Sequence, residues 1–225
     1  MSGGATFPTI RLSCAVSLDG FLDDSGPARR VLSSPEDMTE VHKLRARSDM
    51  IVIGAQTLRN DNPSLATRSE ECFALRARNG RAPHPVKVVV TRSGATPPES
   101  AFFHAGDGEK IVLTDTVDAS AVEARVQGLA TVVRFKDDWM AALQEIAQQR
   151  GLRDVLIEGG AQIIHGALRS GRLHHWRLAI APLLLGASGR ACIFDPAHAL
   201  TDAVRQLNVA SVAKFGDTTV LEIDL

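Results

Sequence analysis

Met50-Ile51-Val52-Ile53-Gly54-Ala55-Gln56-Thr57-Leu58-Arg59-Asn60-Asp61-Asn62-Pro63 is the stretch that decides how this chain folds. Four consecutive apolar residues closed by glycine read as a short strand buried on both faces, the kind found in parallel sheets. The strand delivers a polar segment at its C-terminal end, and ligands of open α/β sheets bind beyond such ends. Thr57 and Asp61 are four residues apart, so a helix after Gly54 sets a hydroxyl and a carboxylate on one face. The same residues also fit a plain helix with a capping acid and a proline stop.

Further strands are expected at 9–16, 86–91, 110–114, 130–135 and 154–157. Helical patterns alternate with them. Ser34-Pro35-Glu36-Asp37 opens one helix, with a side-chain cap, a proline in the first turn and acids at the positive dipole end. Residues 137–150 form an amphipathic helix with Trp139, Leu143, Ile146 and Ala147 on one side, stopped by Gly151. At the C-terminus, 204–214 and 218–225 flank Phe215-Gly216-Asp217, a hairpin signal that adds antiparallel strands. The expected fold class is therefore α/β, a mostly parallel sheet with helices on both faces and a C-terminal antiparallel hairpin. One domain over 1–225 is expected, with residues 1–8 disordered. The turn-rich 17–27 stretch and the Pro/Gly/Ala-rich 93–108 connection read as surface loops.

A second polar tip is Val155-Leu156-Ile157-Glu158-Gly159-Gly160-Ala161, where a strand runs into two glycines and a helix over 162–169. Without Cβ atoms the backbone can approach a phosphate, and the helix start supplies N–H donors. Tight strand-to-helix turns use glycine anyway, and the pattern is not Gly-x-Gly-x-x-Gly. Glu158 is the stronger signal, because an acid at a strand tip is costly to bury unless it binds something. Arg68, Arg76, Arg78 and Arg81 lie between the second and third strands, and Arg92-Ser93 follows the third. Arg68 and Arg92 are placed to hold a substrate phosphate or the 2′-phosphate of NADPH; the others fit surface ion pairing.

Composition narrows the function classes. The formal net charge of −1 over 225 residues gives no general pull toward nucleic acid or anionic membranes. The longest apolar runs fall far short of the roughly 20 residues that span a bilayer. The N-terminus has no secretory pattern, and the three dispersed cysteines, Cys14, Cys72 and Cys192, fit a reducing, cytoplasmic setting. No cysteine or histidine pair has metal-ligand spacing, and the neighbours His174-His175 point to opposite faces of a strand, so no metal site is expected. There is no Gly-x-Ser-x-Gly elbow, P-loop or deaminase zinc signature.

Taken in order, Ser17-Leu18-Asp19-Gly20, Leu44-Arg45-Ala46, Thr57-x-x-x-Asp61-Asn62-Pro63-x-Leu65-x-x-Arg68, Glu158-Gly159-Gly160 and Ala181-Pro182-Leu183-Leu184-Leu185-Gly186 form a specific set. From about Arg11 to the C-terminus the chain resembles the reductase domain of bifunctional riboflavin-biosynthesis deaminase/reductases and its stand-alone relatives. The resemblance implies a dihydrofolate-reductase-like fold and a homodimer. It implies NADPH as cofactor and a ribosylaminopyrimidine substrate, often a 5′-phosphate, whose opened ribose is reduced at C1′. It implies that Asp61 and Glu158 serve catalysis and that Glu158, Arg45, Leu65 and Arg68 contact substrate. Ala15, Thr57, Asp61, Arg92, Ser93, Gly159 and the 160–166 stretch, with Gly160, Ala161, Gln162 and Ile163, fall on the cofactor side. With no deaminase segment in the sequence, reduction alone is expected.

Three departures bear on substrate more than on cofactor. Arg29-Arg30-Val31 stands where many members have Ser-x-Trp, Asn62 where a second Asp follows the motif aspartate, and His174-His175-Trp176 where an acidic pair precedes the Ala-Pro strand. They keep open a same-fold reductase acting on dihydrofolate, a pterin or another pyrimidine. A nucleotide binder without catalysis is the remaining alternative; the acids at 61 and 158 speak against it.

Overall fold

A computed structural model describes residues 7–26, 30–116, 118–194, 200 and 204–225. The expectation for 1–8 therefore falls mostly outside the described residues, as does Arg29; Phe7 is exposed and Pro8 buried. In chain order the elements are β1 (Thr9–Ser17), β2 (Phe21–Asp24), α1 (Pro35–Ala46), β3 (Met50–Gly54), α2 (Ala55–Asp61) and α3 (Glu70–Arg78). Then come β4 (Val86–Thr91), α4 (Ala101–His104), β5 (Lys110–Thr114), α5 (Ala119–Val126), β6 (Thr131–Arg134) and α6 (Trp139–Gln149). The last are β7 (Asp154–Gly159), α7 (Ala161–Arg169), β8 (His175–Ala181), β9 (Gly189–Cys192), β10 (Asn208–Phe215) and β11 (Thr218–Asp224). Parallel pairing predominates and the C-terminal hairpin is antiparallel, as the apolar runs imply. No helix among the described residues is long and apolar enough to cross a membrane.

The chain gathers into two compact units, one of His42–Leu156 with the residues up to Thr9, the other of Ile10–Val41 with Ile157–Leu225. In the first, β3, β4, β5 and β6 pair in parallel, Val52 opposite Val88, Val88 opposite Ile111 and Ile111 opposite Thr131. Their apolar faces bury Ile51, Ile53, Val89 and Val112 with Leu58 of α2, Leu65, and Val122 and Val126 of α5. Phe102 and Phe103 of α4 join this core edge to face, with ring centroids 4.9 Å apart. The 93–108 connection is thus not merely a surface loop: its Phe pair folds one helical turn inward, which its Pro and Gly content concealed.

Arg76 and Arg78 likewise belong to α3 and not to a loop. Arg76 is buried, and its guanidinium donates to the carbonyls of Ala82 (2.6 Å) and Ser48 (2.7 Å), tying together turns that α1 and α3 leave with open acceptors. Asp49 accepts from the N–H groups of Arg153 and Asp154 and from Arg81. The α6 helix is capped by Asp138, which accepts from Ala141 N at 3.0 Å. It buries Met140, Leu143, Ile146 and Ala147; Trp139, expected on that face, is only half-buried.

In the second unit β1 and β8 run parallel, with Ala15 opposite Ala179, and β11 pairs antiparallel with both β8 and β10. Ser34 caps α1 as its sequence implies, accepting from Asp37 N at 3.1 Å, and its hydroxyl donates to Phe215 O at 2.7 Å. Asp37 is buried and ion-paired to Arg177 of β8. The stretch after β1 is not all turn: Phe21–Asp24 pairs antiparallel with β9. The β8 strand stops at Ala181, because Pro182 has no N–H for the ladder. The hairpin strand starts at Asn208, four residues later than its apolar pattern begins.

Candidate active site

In the first unit, β3 ends at Gly54 and α2 begins at once, so Thr57 and Asp61 are one helical turn apart and both half-buried. Leu58 between them is fully buried and fixes which face of α2 turns outward. Asn62 closes the helix in the left-handed conformation (φ 45°), its N–H returning to Leu58 O. Its side-chain oxygen accepts from Ala101 N at 2.7 Å. The asparagine that departs from the family pattern therefore splices α2 to α4. Leu65 is buried at φ 52°. Arg68 is exposed and donates to Ser64 Oγ at 3.1 Å. Arg45, in the last turn of α1, is half-buried.

Arg92 and Ser93 follow β4 and are exposed. Their turn is set by Gly94, whose N–H donates to Thr91 Oγ1 at 3.1 Å. Its φ of 66° and the 2.3 Å that would separate a Cβ from Val122 leave glycine as the only residue that fits. The turn thus presents an arginine and a hydroxyl at the C-terminal end of a parallel strand, the usual place for ligands.

In the second unit, Glu158 is half-buried near the end of β7 and Gly159 is buried. Gly160 caps α7 at φ 92°, a backbone state closed to most side chains, and brings no side-chain oxygen to the first helical turn. Ala161 and Gln162 begin the helix, while Ile163, Ile164 and Ala167 anchor its inner face. A helix start of this form suits a phosphate group, which the aligned N–H donors and the dipole favour. Ala15 is half-buried on β1. Beside it Cys14 accepts from Trp176 Nε1 at 3.4 Å; burial pushes its thiol up to about 11, so it is inert at neutral pH.

A model of the RibD C-terminal domain matches residues 8–221. The chain belongs to that family. This RibD C-terminal domain is similar to the 2,5-diamino-6-ribosylamino-4(3H)-pyrimidinone 5′-phosphate reductase of Archaeoglobus fulgidus, 27% identical over 84% of this chain and 86% of the relative. The riboflavin biosynthesis protein RibD of Chlamydia trachomatis is 29% identical over 84% of the chain, which spans 49% of that longer protein. Among solved structures, a pyrimidine reductase-like protein of Corynebacterium diphtheriae superposes with a TM-score of 0.83 at 19% identity, covering 96% of this chain and 91% of its own. The deaminase/reductase of Thermotoga maritima gives 0.78 at 19% identity over 97% of this chain and 56% of its own. The shared fold and the family are those the ordered motifs implied, and reductases of this family use a nicotinamide cofactor.

Two groups of side chains stand beside the expected residues without having been singled out from the sequence. Asp19 accepts from Ser17 Oγ (2.6 Å), from Leu185 N (3.1 Å) and from Gly186 N (2.7 Å). It ties the turn after β1 to the turn after β8, joining the Ser17–Gly20 and Ala181–Gly186 segments in space. Lys87 and His84 brace the segment that carries Leu65 and Arg68. A signal for Lys87 was present: a lysine inside Val-Lys-Val-Val-Val must be buried, and a buried ammonium needs acceptors.

Proposed function

We propose that this chain is an NADPH-dependent reductase of riboflavin biosynthesis that converts a ribosylaminopyrimidine of the 5-amino-6-ribosylaminouracil type, as the nucleoside or its 5′-phosphate, to the ribitylamino product. The observation that carries the reading is the family match over residues 8–221 together with relatives named for this reduction. When bound, NADPH supplies a hydride from nicotinamide C4, delivered to C1′ of the ring-opened sugar. The residues of this chain bind, orient and hold protons. Gly159, Gly160 and the first turn of α7, with Ala161, Gln162 and Ile163, cradle the cofactor diphosphate; the glycine cap and its φ of 92° fit that role. Thr57 hydrogen-bonds the cofactor, Arg92 and Ser93 take its 2′-phosphate, and the backbone at Ala15 meets the nicotinamide.

Arg45, Leu65 and Arg68 contact the pyrimidine nucleotide, the arginines suiting a phosphate. Glu158 contacts the substrate, and Asp61 holds the reacting ribose and mediates proton transfer there. The whole of 1–225 acts as one reductase domain, cytoplasmic, homodimeric and without affinity for nucleic acid or membrane. The test is loss of NADPH absorbance on adding the ribosylaminopyrimidine with and without its 5′-phosphate. Turnover of neither removes the assignment. A second reading, reduction of a pterin or another pyrimidine, draws on Arg30 and Val31: Arg30 donates to Asp24 at 2.5 Å and Val31 is exposed, so this stretch offers nothing like Ser-x-Trp. The same assay with dihydropterins separates the two.

A further inference from the structure

Lys87 sits inside β4 between Val86 and Val88 and is fully buried. An ammonium in such a place is costly unless each of its N–H groups meets an acceptor. It has three, and three carbonyl oxygens receive them: Phe102, Ala105 at 2.7 Å and Ser64 at 3.1 Å. The Phe102 ring also lies 5.2 Å from Nζ. Two of the carbonyls close the end of α4. The third belongs to the segment that leads from α2 to Arg68.

That segment is built as a relay. Ser64 gives its carbonyl to Lys87 and its hydroxyl to Arg68, which donates to it at 3.1 Å. Leu65 follows at φ 52°, a conformation a branched side chain adopts only when its surroundings impose it. Thr67 N donates to His84 Nδ1 at 3.2 Å, and the Thr67 hydroxyl donates to Pro83 O at 2.8 Å. His84 is itself packed edge-on against Phe73 at 5.4 Å.

We propose that Lys87 is a positioning residue for the substrate: through Ser64 it sets the place from which Arg68 meets a phosphate on the pyrimidine nucleotide. This rests on the reading of Arg68 as a substrate contact. Burial, with a smaller contribution from Lys110, pushes the Lys87 ammonium down to about 8. The neutral amine keeps two N–H groups for three acceptors, and the longest contact, to Ser64, is the one released. His84 faces Asp107 at 3.9 Å and lies near Lys87, Arg76 and Lys110; burial lowers it as well, so Nδ1 remains an acceptor at neutral pH. Between its lowered value and the ordinary 10.5, Lys87 binds fewer protons folded than unfolded, so global stability rises with pH there. The loosening is local to residues 64–68.

Steady-state kinetics of the full chain with NADPH test the relay. Lys87→Met is expected to raise KM for the phosphorylated substrate about tenfold, with KM for NADPH and for the unphosphorylated nucleoside within about twofold. Arg68→Ala is the reference. If it raises that KM and Lys87→Met does not, the relay is overturned while the substrate reading stands; if Arg68→Ala has no effect, the substrate reading fails and takes the relay with it. Should Lys87→Met not fold, the wild-type chain decides. Above pH about 8, KM for the phosphorylated substrate rises and amide exchange at 65–68, corrected for intrinsic rate, accelerates relative to β3 and β5. A flat profile in both overturns the proposal.

Discussion

Asp61 stands half-buried on the last turn of α2, a helix that the buried Leu58 anchors to the core. Removing its charge should therefore leave the fold intact. Asp61→Asn is expected to lower kcat by about 10²-fold or more, the usual scale for a lost proton-transfer group, with an unchanged circular dichroism spectrum. A variant with wild-type kcat would take Asp61 out of the chemistry. Asp19 carries a different test. The Ser17 hydroxyl, the Gly186 N–H and then the Leu185 N–H hold its carboxyl at about 2, below the ordinary 3.8. The folded state thus binds fewer protons than the unfolded between those values, so the contribution is complete above pH about 4 and is lost as pH falls through about 2. Denaturant unfolding between pH 5 and 2 should show wild-type stability falling more steeply than that of Asp19→Asn; parallel curves would mean the tie is energetically silent.

At the scale of elements, each unit has a positive-φ glycine turn adjoining proposed cofactor residues in sequence. Gly94 is excluded from change by both φ and the Val122 side chain, so a substitution there disturbs the core that α5 builds. Gly160 is constrained by its φ of 92° as the cap of α7. Gly160→Ala forces a backbone state that costs an alanine about 1–3 kcal/mol, or else moves the start of α7. KM for NADPH should rise about tenfold or more while the pyrimidine KM changes less. Equal effects on both would place this turn away from the cofactor. Elements also explain what the pattern of residues concealed. Arg76 looked like one of several loop arginines, yet α3 turns it inward onto backbone carbonyls of Ala82 and Ser48. Short helices such as α3 and α4 have little periodicity to display, so only their burial reveals them.

For the molecule as a whole, β10 presents a mostly exposed strand with Val209 and Val212 outward, and no further strand lies beside it among the described residues. Open edges with apolar residues invite pairing with another chain. The proposed homodimer predicts a sedimenting mass of twice 24.1 kDa, and Val212→Lys should shift it toward the monomer. A monomeric wild type at micromolar concentration would remove the proposal. The buried pair of Asp37 and Arg177 ties the start of α1 to β8 within one unit. With one Asp37 oxygen left without a hydrogen bond, it contributes more to placing α1 than to net stability.

Local pattern alone determined the parallel strands, the C-terminal hairpin, the α1 cap at Ser34 and the placement of Thr57 and Asp61 on one turn of α2. Each of these depends on neighbours within a few residues, where hydrophobic periodicity and backbone chemistry act directly. Tertiary structure decided the inward turn of Phe102 and Phe103, the pairing of β2 with β9, the roles of Arg76 and Asn62, and the braces at Asp19 and Lys87. Most of these rest on partners distant along the chain, up to 167 positions away. A polar residue declares that it needs a partner, but only the folded chain supplies which one.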